Sequence, residues 1–348
     1  MKKSFIYVFS LGLVFSMNAL AKTTLDPEEL RSQYKIQLGK IDPVEGSTRH
    51  WLSHHTVLFV NGLGGTDLSA SEYKDILEND FFFPKRNFLV FTPNASTTVE
   101  ENAQKIYSEI LLINLLRDRD KPFIVIGHSL GGAELLLMAA THPELVNQKI
   151  IERLVIMQGP VGGAPLADLL RRLVEVRAPN GLWDPLDPLF YIFKFGFLNG
   201  ALSIAPENYL PVLSSKFSHL DNASKNSLSE ATDFVTVAQD PKSPQYPDST
   251  IQMLKYGRNI YGEVKDTLPT IPYSNFDDFI CSLGASDDIV PLNSQSIPGF
   301  GMTFKPLHGS HMNFLTSHSD FSLMSMSTST KAEVRAFLRA LLITISHQ

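Results

Sequence analysis

The run Gly127-His128-Ser129-Leu130-Gly131 sets a serine between two glycines in the pattern G-x-S-x-G. Ile124-Val125-Ile126 before it is apolar and β-branched, and reads as a buried strand. Ala133 to Ala140 after it is a strong helix former. Strand, tight turn and helix together form a setting that lifts a serine oxygen clear of a sheet as a nucleophile. Glycine at 127 and 131 removes β-carbons that would collide in so sharp a turn. The N–H of Leu130, at the positive end of the helix, can then face a developing oxyanion.

A serine hydroxyl is a poor nucleophile at neutral pH. It needs a histidine base, and the base needs a carboxylate to orient it. After a serine in this setting the chain order is acid, then histidine. The acid is expected in Gly284-Ala285-Ser286-Asp287-Asp288-Ile289-Val290-Pro291, with Asp287 chosen and Asp288 the alternative. Whichever of the two is not catalytic reads as a turn or N-cap aspartate. The base is expected in Leu307-His308-Gly309-Ser310-His311-Met312-Asn313, where His311 is chosen over His308. His54 and His55 precede the first strand and read as surface residues at the far end of the sheet. His128 reads as a packing position pointing away from Ser129, and His318 as solvent-facing. A second oxyanion donor, the N–H of Leu63, is expected from Asn61-Gly62-Leu63-Gly64. That loop lacks the Lys-Ser/Thr and the glycine spacing of phosphate-binding loops. The sequence offers no clustered His/Cys metal site.

The elements that would carry these residues alternate. Strands are expected at Thr56–Val60, Phe88–Phe91, Ile124–Ile126 and Leu154–Met157. A short helix is expected at Pro27–Tyr34 and others at Ser71–Leu77 and Val99–Leu116; the last has Ile106, Ile110, Ile113 and Leu116 at helical spacing. Short, wholly apolar strands alternating with helices imply a mostly parallel sheet with helices on both faces, an α/β fold. The alternation stops at Gly159. It resumes with strands at Phe279–Leu283 and Met302–Phe304 and a closing helix at Thr330–Ile343. The intervening stretch is rich in aromatics and punctuated by Pro185, Pro188, Pro206 and Pro211. It reads as an inserted cap or lid with an apolar inner face. The organisation expected is a signal peptide at 1–21, a first core part at 22–158, a cap at 159–275 and a second core part at 276–348.

With 348 residues, 43% hydrophobic and 19% charged, the chain can build a large core and is not disordered. A net charge of −6 with no basic stripe argues against a nucleic-acid partner. Lys2 and Lys3, the apolar run Phe5–Phe15 and Ala19-Leu20-Ala21 read as an export signal expected to be cleaved after Ala21, with a membrane anchor the alternative. A periplasmic or secreted bacterial protein is expected. Cys281 is the sole cysteine, so no intrachain disulfide can form.

With these pieces in place, the chain resembles the α/β-hydrolase superfamily, and within it the bacterial secreted lipases. Gly127-His128-Ser129-Leu130-Gly131-Gly132 matches their elbow closely. Val60-Asn61-Gly62-Leu63-Gly64-Gly65 is similar to their oxyanion loop, with Asn61 where the family has His. Gly159-Pro160-Val161-Gly162-Gly163-Ala164-Pro165-Leu166-Ala167-Asp168 is similar to their segment P-H-x-G-S-x-x-A-D, with Val161 for its His and Ala164 for its Ser. Ser286-Asp287-Asp288-Ile289-Val290 is similar to their acid loop N-D-G-L-V, which favours Asp287, and the family's spacing from acid to base favours His311.

The resemblance implies a serine hydrolase of lipid acyl or other hydrophobic carboxylic esters, working through Ser129, His311 and Asp287 and an acyl-enzyme. Phospholipase A or acyltransferase activity on the same residues is the alternative, and a non-catalytic binding protein of the same fold a more distant one. A lipid interface is the expected partner surface. No obligate protein partner and no cofactor are called for. Relatives often hold a structural calcium ion through an Asp after the histidine. Asn313 occupies that place here, which gives little support for calcium.

Overall fold

The computed structural model describes residues 26–44, 46–63, 70–116, 121–168, 198–239, 284–287, 289–311, 313–315 and 329–348. Helices α1 (Glu29–Gln37) and α2 (Ser47–Ser53) lead into β1 (Thr56–Val60). Then come α3 (Ser71–Asp80), β2 (Phe88–Phe91), α4 (Val99–Leu116), β3 (Phe123–His128), α5 (Leu130–Thr141), the short α6 (Glu144–Asn147) and β4 (Ile151–Met157). Each of these strands falls where a contiguous apolar run predicts it, and α4 has the predicted bounds.

The central sheet runs β2-β1-β3-β4 and continues through β5 (Thr232–Val235) to β7 (Met302–Thr303), and every adjacent pair is parallel. Alternate side chains feed two separate cores, as strand periodicity requires. Leu58, Val60, Val125, Leu154 and Ile156 pack with α4 and α5 on one face. Val57, Phe59, Ile124, Ile126, Val155 and Met157 pack with α1, α3 and the C-terminal helix on the other. Sheet positions buried on both sides explain why the strands read as unbroken hydrophobic runs.

The stretch 159–275, which the sequence reads as cap, supplies a core strand. After α7 (Leu198–Ser203), α8 (Pro206–His219) and α9 (Asn222–Ala231), β5 (Thr232–Val235) pairs with β4 in the sheet. Tyr209, Leu213 and Phe217 of α8 and Leu228 of α9 are buried in the same core as α5. These elements belong to the body of the fold. The rest of the expected cap, 169–197 and 240–275, lies outside the described residues, as do the expected signal segment 1–21, the strand expected at Phe279–Leu283 with Cys281, and His318.

Beyond β5, β7 (Met302–Thr303) pairs with β5 as the last strand of the central sheet among the described residues, and β6 (Val237–Ala238) pairs with β8 (Leu307–His308) in a separate two-stranded sheet. Helix α10 (Lys331–Ser346) closes the chain against α1. It starts at a capping box in which the Thr330 hydroxyl accepts from Glu333 N and the Glu333 carboxylate accepts from Thr330 N. Among the described residues no helix is long and apolar enough to cross a membrane.

Candidate active site

Ser129 caps β3 at φ 54°, ψ −128°, a strained conformation for a residue with a side chain. Its N–H donates to Met157 O at 2.9 Å, so the turn is fastened to the neighbouring strand. The flanking glycines are needed. A β-carbon on Gly127 would stand 2.7 Å from Gly131 O, and one on Gly131 would run into the carbonyls of Asn61 and Val60. Helix α5 follows with every residue from Leu130 to Ala140 buried. Leu130 is its first residue, so its N–H has no carbonyl within the helix to pair with.

The sequence-chosen residues meet here. Ser129 Oγ lies 2.6 Å from His311 Nε2, and His311 Nδ1 lies 2.8 Å from Asp287 Oδ2. A carboxylate can only accept, so the imidazole proton sits on Nδ1, and Nε2 is left to accept from the serine hydroxyl. Asp287 is fully buried. Its Oδ1 accepts from Ile289 N at 3.1 Å and Val290 N at 2.8 Å, which holds Oδ2 toward the ring. The loop carrying it is tied to the sheet. The Gln295 amide accepts from Val237 N and donates to Val237 O, and Gln239 N donates to Ser286 O. His311 follows β8, whose Leu307 N donates to Thr236 O at 3.0 Å. His308 is exposed and takes no part in this row, and Asp288 lies outside the described residues.

The loop after β1 crosses over the serine. Gly62 approaches Ser129 too closely for any side chain. Asn61 anchors the loop sideways: its N–H donates to Phe91 O, and its Nδ2 donates to Thr92 Oγ1 at 2.9 Å. Leu63 is 44% exposed on the same loop. Asn313, at the family's calcium position, accepts from Ser310 Oγ at 2.7 Å and so braces the histidine loop.

Several buried polar residues, not all of them at the site, escaped the sequence reading. His55, expected at the surface, is buried with its Nε2 3.1 Å from Glu152, a partner far along the chain. His128 does more than pack: its Nε2 donates to His311 O at 2.9 Å. Burial and the adjacent His311 hold its pKa down to about 3, so the ring is neutral. Gln158, one residue beyond β4, is buried at φ 51° and donates to Ser310 O. Glu134 of α5 is buried, and burial raises its pKa to about 8 against the lowering bond from Asn102 Nδ2 at 2.7 Å. In the sequence it was one letter in an apolar helix.

Comparison with protein-family models finds no match, and comparison with curated proteins finds none either. Among solved structures, a metagenomic carboxyl esterase superposes with a TM-score of 0.50 at 12% identity, covering 98% of this chain and 98% of its own. Phospholipase PlaB from Legionella pneumophila matches with a TM-score of 0.43 at 16% identity, over 70% of this chain and 45% of its own. At such identities the likeness to the esterase is one of fold. The parallel sheet, the strained serine at the end of its third strand and the superposition over nearly the whole chain agree: this protein has the α/β-hydrolase fold.

Proposed function

We propose that the protein is a serine hydrolase of hydrophobic carboxylic esters, lipid acyl esters foremost. The observation that carries the reading is the row from Ser129 Oγ through the His311 ring to Asp287, with separations of 2.6 and 2.8 Å. Ser129 is half-buried, so its oxygen is within reach of a substrate while its partners stay dry.

In the proposed reaction His311 Nε2 takes the Ser129 proton as Oγ attacks the ester carbonyl. The N–H groups of Leu63 and Leu130 receive the charge that develops on the carbonyl oxygen. His311 then protonates the departing alcohol. A water molecule, deprotonated by the same ring, attacks the acyl-enzyme and releases the acid and Ser129. Asp287 orients the ring and stabilises its charged form throughout. The scheme needs no cofactor. Exposed Leu63, the next residue after Gly62 on the loop that lies against Ser129, favours an apolar acyl group. Residues 1–21 have the pattern of an export signal, so the substrate is proposed to be met outside the cytoplasm.

The test is hydrolysis of nitrophenyl esters of rising acyl length, a triglyceride emulsion and a phospholipid emulsion, by the protein and by Ser129→Ala. Turnover that rises with chain length and vanishes in the variant is expected. Ser129-independent turnover, or none with any ester, would overturn the reading.

A further inference from the structure

Two neighbouring strands end alike. β3 ends in Ser129 at φ 54°, and β4 is followed by Gln158 at φ 51°. The β3–β4 register pairs His128 with Met157, so the next residues, Ser129 and Gln158, stand side by side. Left-handed backbone at a residue with a side chain costs on the order of 1–3 kcal/mol, and glycine would relieve it. The strain at Ser129 is accounted for by the proposed chemistry. That at Gln158 is not, although Gln158 is fully buried.

What glutamine supplies and glycine lacks is its amide. Gln158 Nε2 donates to Ser310 O at 3.0 Å, alongside the turn bond from Asn313 N to the same oxygen. The next carbonyl in the chain, His311 O, accepts from His128 Nε2. A ring nitrogen facing a carbonyl must carry the proton, so His128 is fixed as the Nε2–H form. Ser310 O and His311 O belong to the two peptide groups on either side of the His311 α-carbon. Holding both planes fixes the direction in which the His311 side chain leaves the backbone. Only the two side-chain torsions remain, and Asp287 sets those from the other end.

We infer that His128 and Gln158 are positioning residues for His311, a two-point backbone clamp that aims its ring at Ser129. The inference rests on the ester-hydrolase reading for its kinetic consequence, but the clamp itself is geometric. Its place in the chain gives it a purpose. The strand that ends in the serine and the strand beside it also hold the loop that brings the histidine, so the two partners share one frame. A misplacement of about 1 Å between reacting groups can lower a rate by about 100-fold. That sets the scale of the expected effect.

The test uses the full chain with His128→Leu, Gln158→Met and the donor-retaining His128→Gln. Each is checked for folding by thermal melting. Two readouts are taken: ester kinetics, and the His311 Nδ1–H resonance in ring-¹⁵N-histidine protein. The clamp predicts that His128→Leu and Gln158→Met each lower kcat by about 10- to 100-fold with KM within about twofold, and that His128→Gln recovers most of the loss. It also predicts a sharp His311 Nδ1–H line in the parent and in His128→Gln, broadened or lost in the other two. A folded His128→Leu or Gln158→Met protein with parental kcat and a sharp line would overturn it. If the parent itself shows no Ser129-dependent turnover, the ester reading falls, and the resonance in the same variants still decides the clamp.

Discussion

A β-carbon placed on Gly62 would stand 2.8 Å from the β-carbon of Ser129, and 3.1 Å from the carbonyl oxygen of His128. The first loop therefore lies directly on the serine turn, with no room for a methyl group. In the proposed mechanism the next N–H along that loop, Leu63, is an oxyanion donor. Gly62→Ala should push the loop away and remove that donor, lowering kcat by about 10²–10³-fold, the scale of one lost oxyanion-hole hydrogen bond. Kinetics on a short nitrophenyl ester check this. Near-parental kcat with an unchanged melting temperature would show that the loop can move without loss of function.

Asp287→Asn should lower kcat by about 10⁴-fold, because an amide can donate to Nδ1 and stabilise the wrong ring tautomer. His308→Ala, which alters an exposed side chain, should leave kcat within about twofold. The pair decides between the candidate histidines and tests the acid in one assay. Equal losses in the two variants would contradict the geometry.

Glu134 makes stability depend on pH in an unusual direction. Its folded pKa of about 8 lies above the ordinary carboxylate value of 4.5. The folded chain therefore keeps a proton that the unfolded chain gives up between those values. The associated stability is full below about pH 4.5, declines as pH rises toward 8 and is flat beyond. Glu134→Gln keeps an acceptor for Asn102 and removes the titration. Denaturant unfolding from pH 5 to 8 should show the parent losing on the order of a few kcal/mol more than the variant. Parallel curves would mean that the carboxyl is already ionised in the fold.

Asp80 gathers the far side of the molecule. It accepts from Arg335 Nε and Nη2, both at 2.6 Å, and from Arg339 Nη1 at 3.2 Å, while Arg339 Nε donates to Gln37. This joins α1, α3 and α10 on the sheet face opposite α5. Asp80→Asn leaves two cations short of their carboxylate and should lower stability by about 3–5 kcal/mol. Under native conditions kcat should be unchanged. A melting temperature within a degree of the parent would refute the first expectation, and a fall in kcat of the folded variant the second.

The sequence is most legible where one residue's neighbours along the chain decide its structure. Thr56–Val60 and Phe123–His128 are buried on both faces, so apolar content alone marks them. The glycines around Ser129 declare a turn that nothing else would require. β5 was hidden because it has four residues, two of them the polar but buried Thr232 and Asp233. Such a segment has neither alternation nor a hydrophobic run, and only its place beside β4 makes it a strand. β7 and β8, at two residues each, are defined wholly by their partners. His55 was misjudged, and the bond made by His128 was missed, for the same reason. Their partners, Glu152 and His311 O, are 97 and 183 residues away, and no local pattern records them. The motif order and the family resemblance were enough to choose Asp287 and His311, whereas the residues that hold His311 became visible only in three dimensions.

The sheet's last edge also bears on how the chain is made. Ser129 emerges 182 residues before His311, and Asp287 comes only 24 residues ahead of the histidine. During synthesis from the N-terminus the elbow strand and helix can form early. Its serine then has no imidazole beside it until His311 has been made and the two-residue strands β7 and β8 have docked. On the proposed mechanism the centre is inert until that docking, and its reactivity begins only once His311 stands beside Ser129.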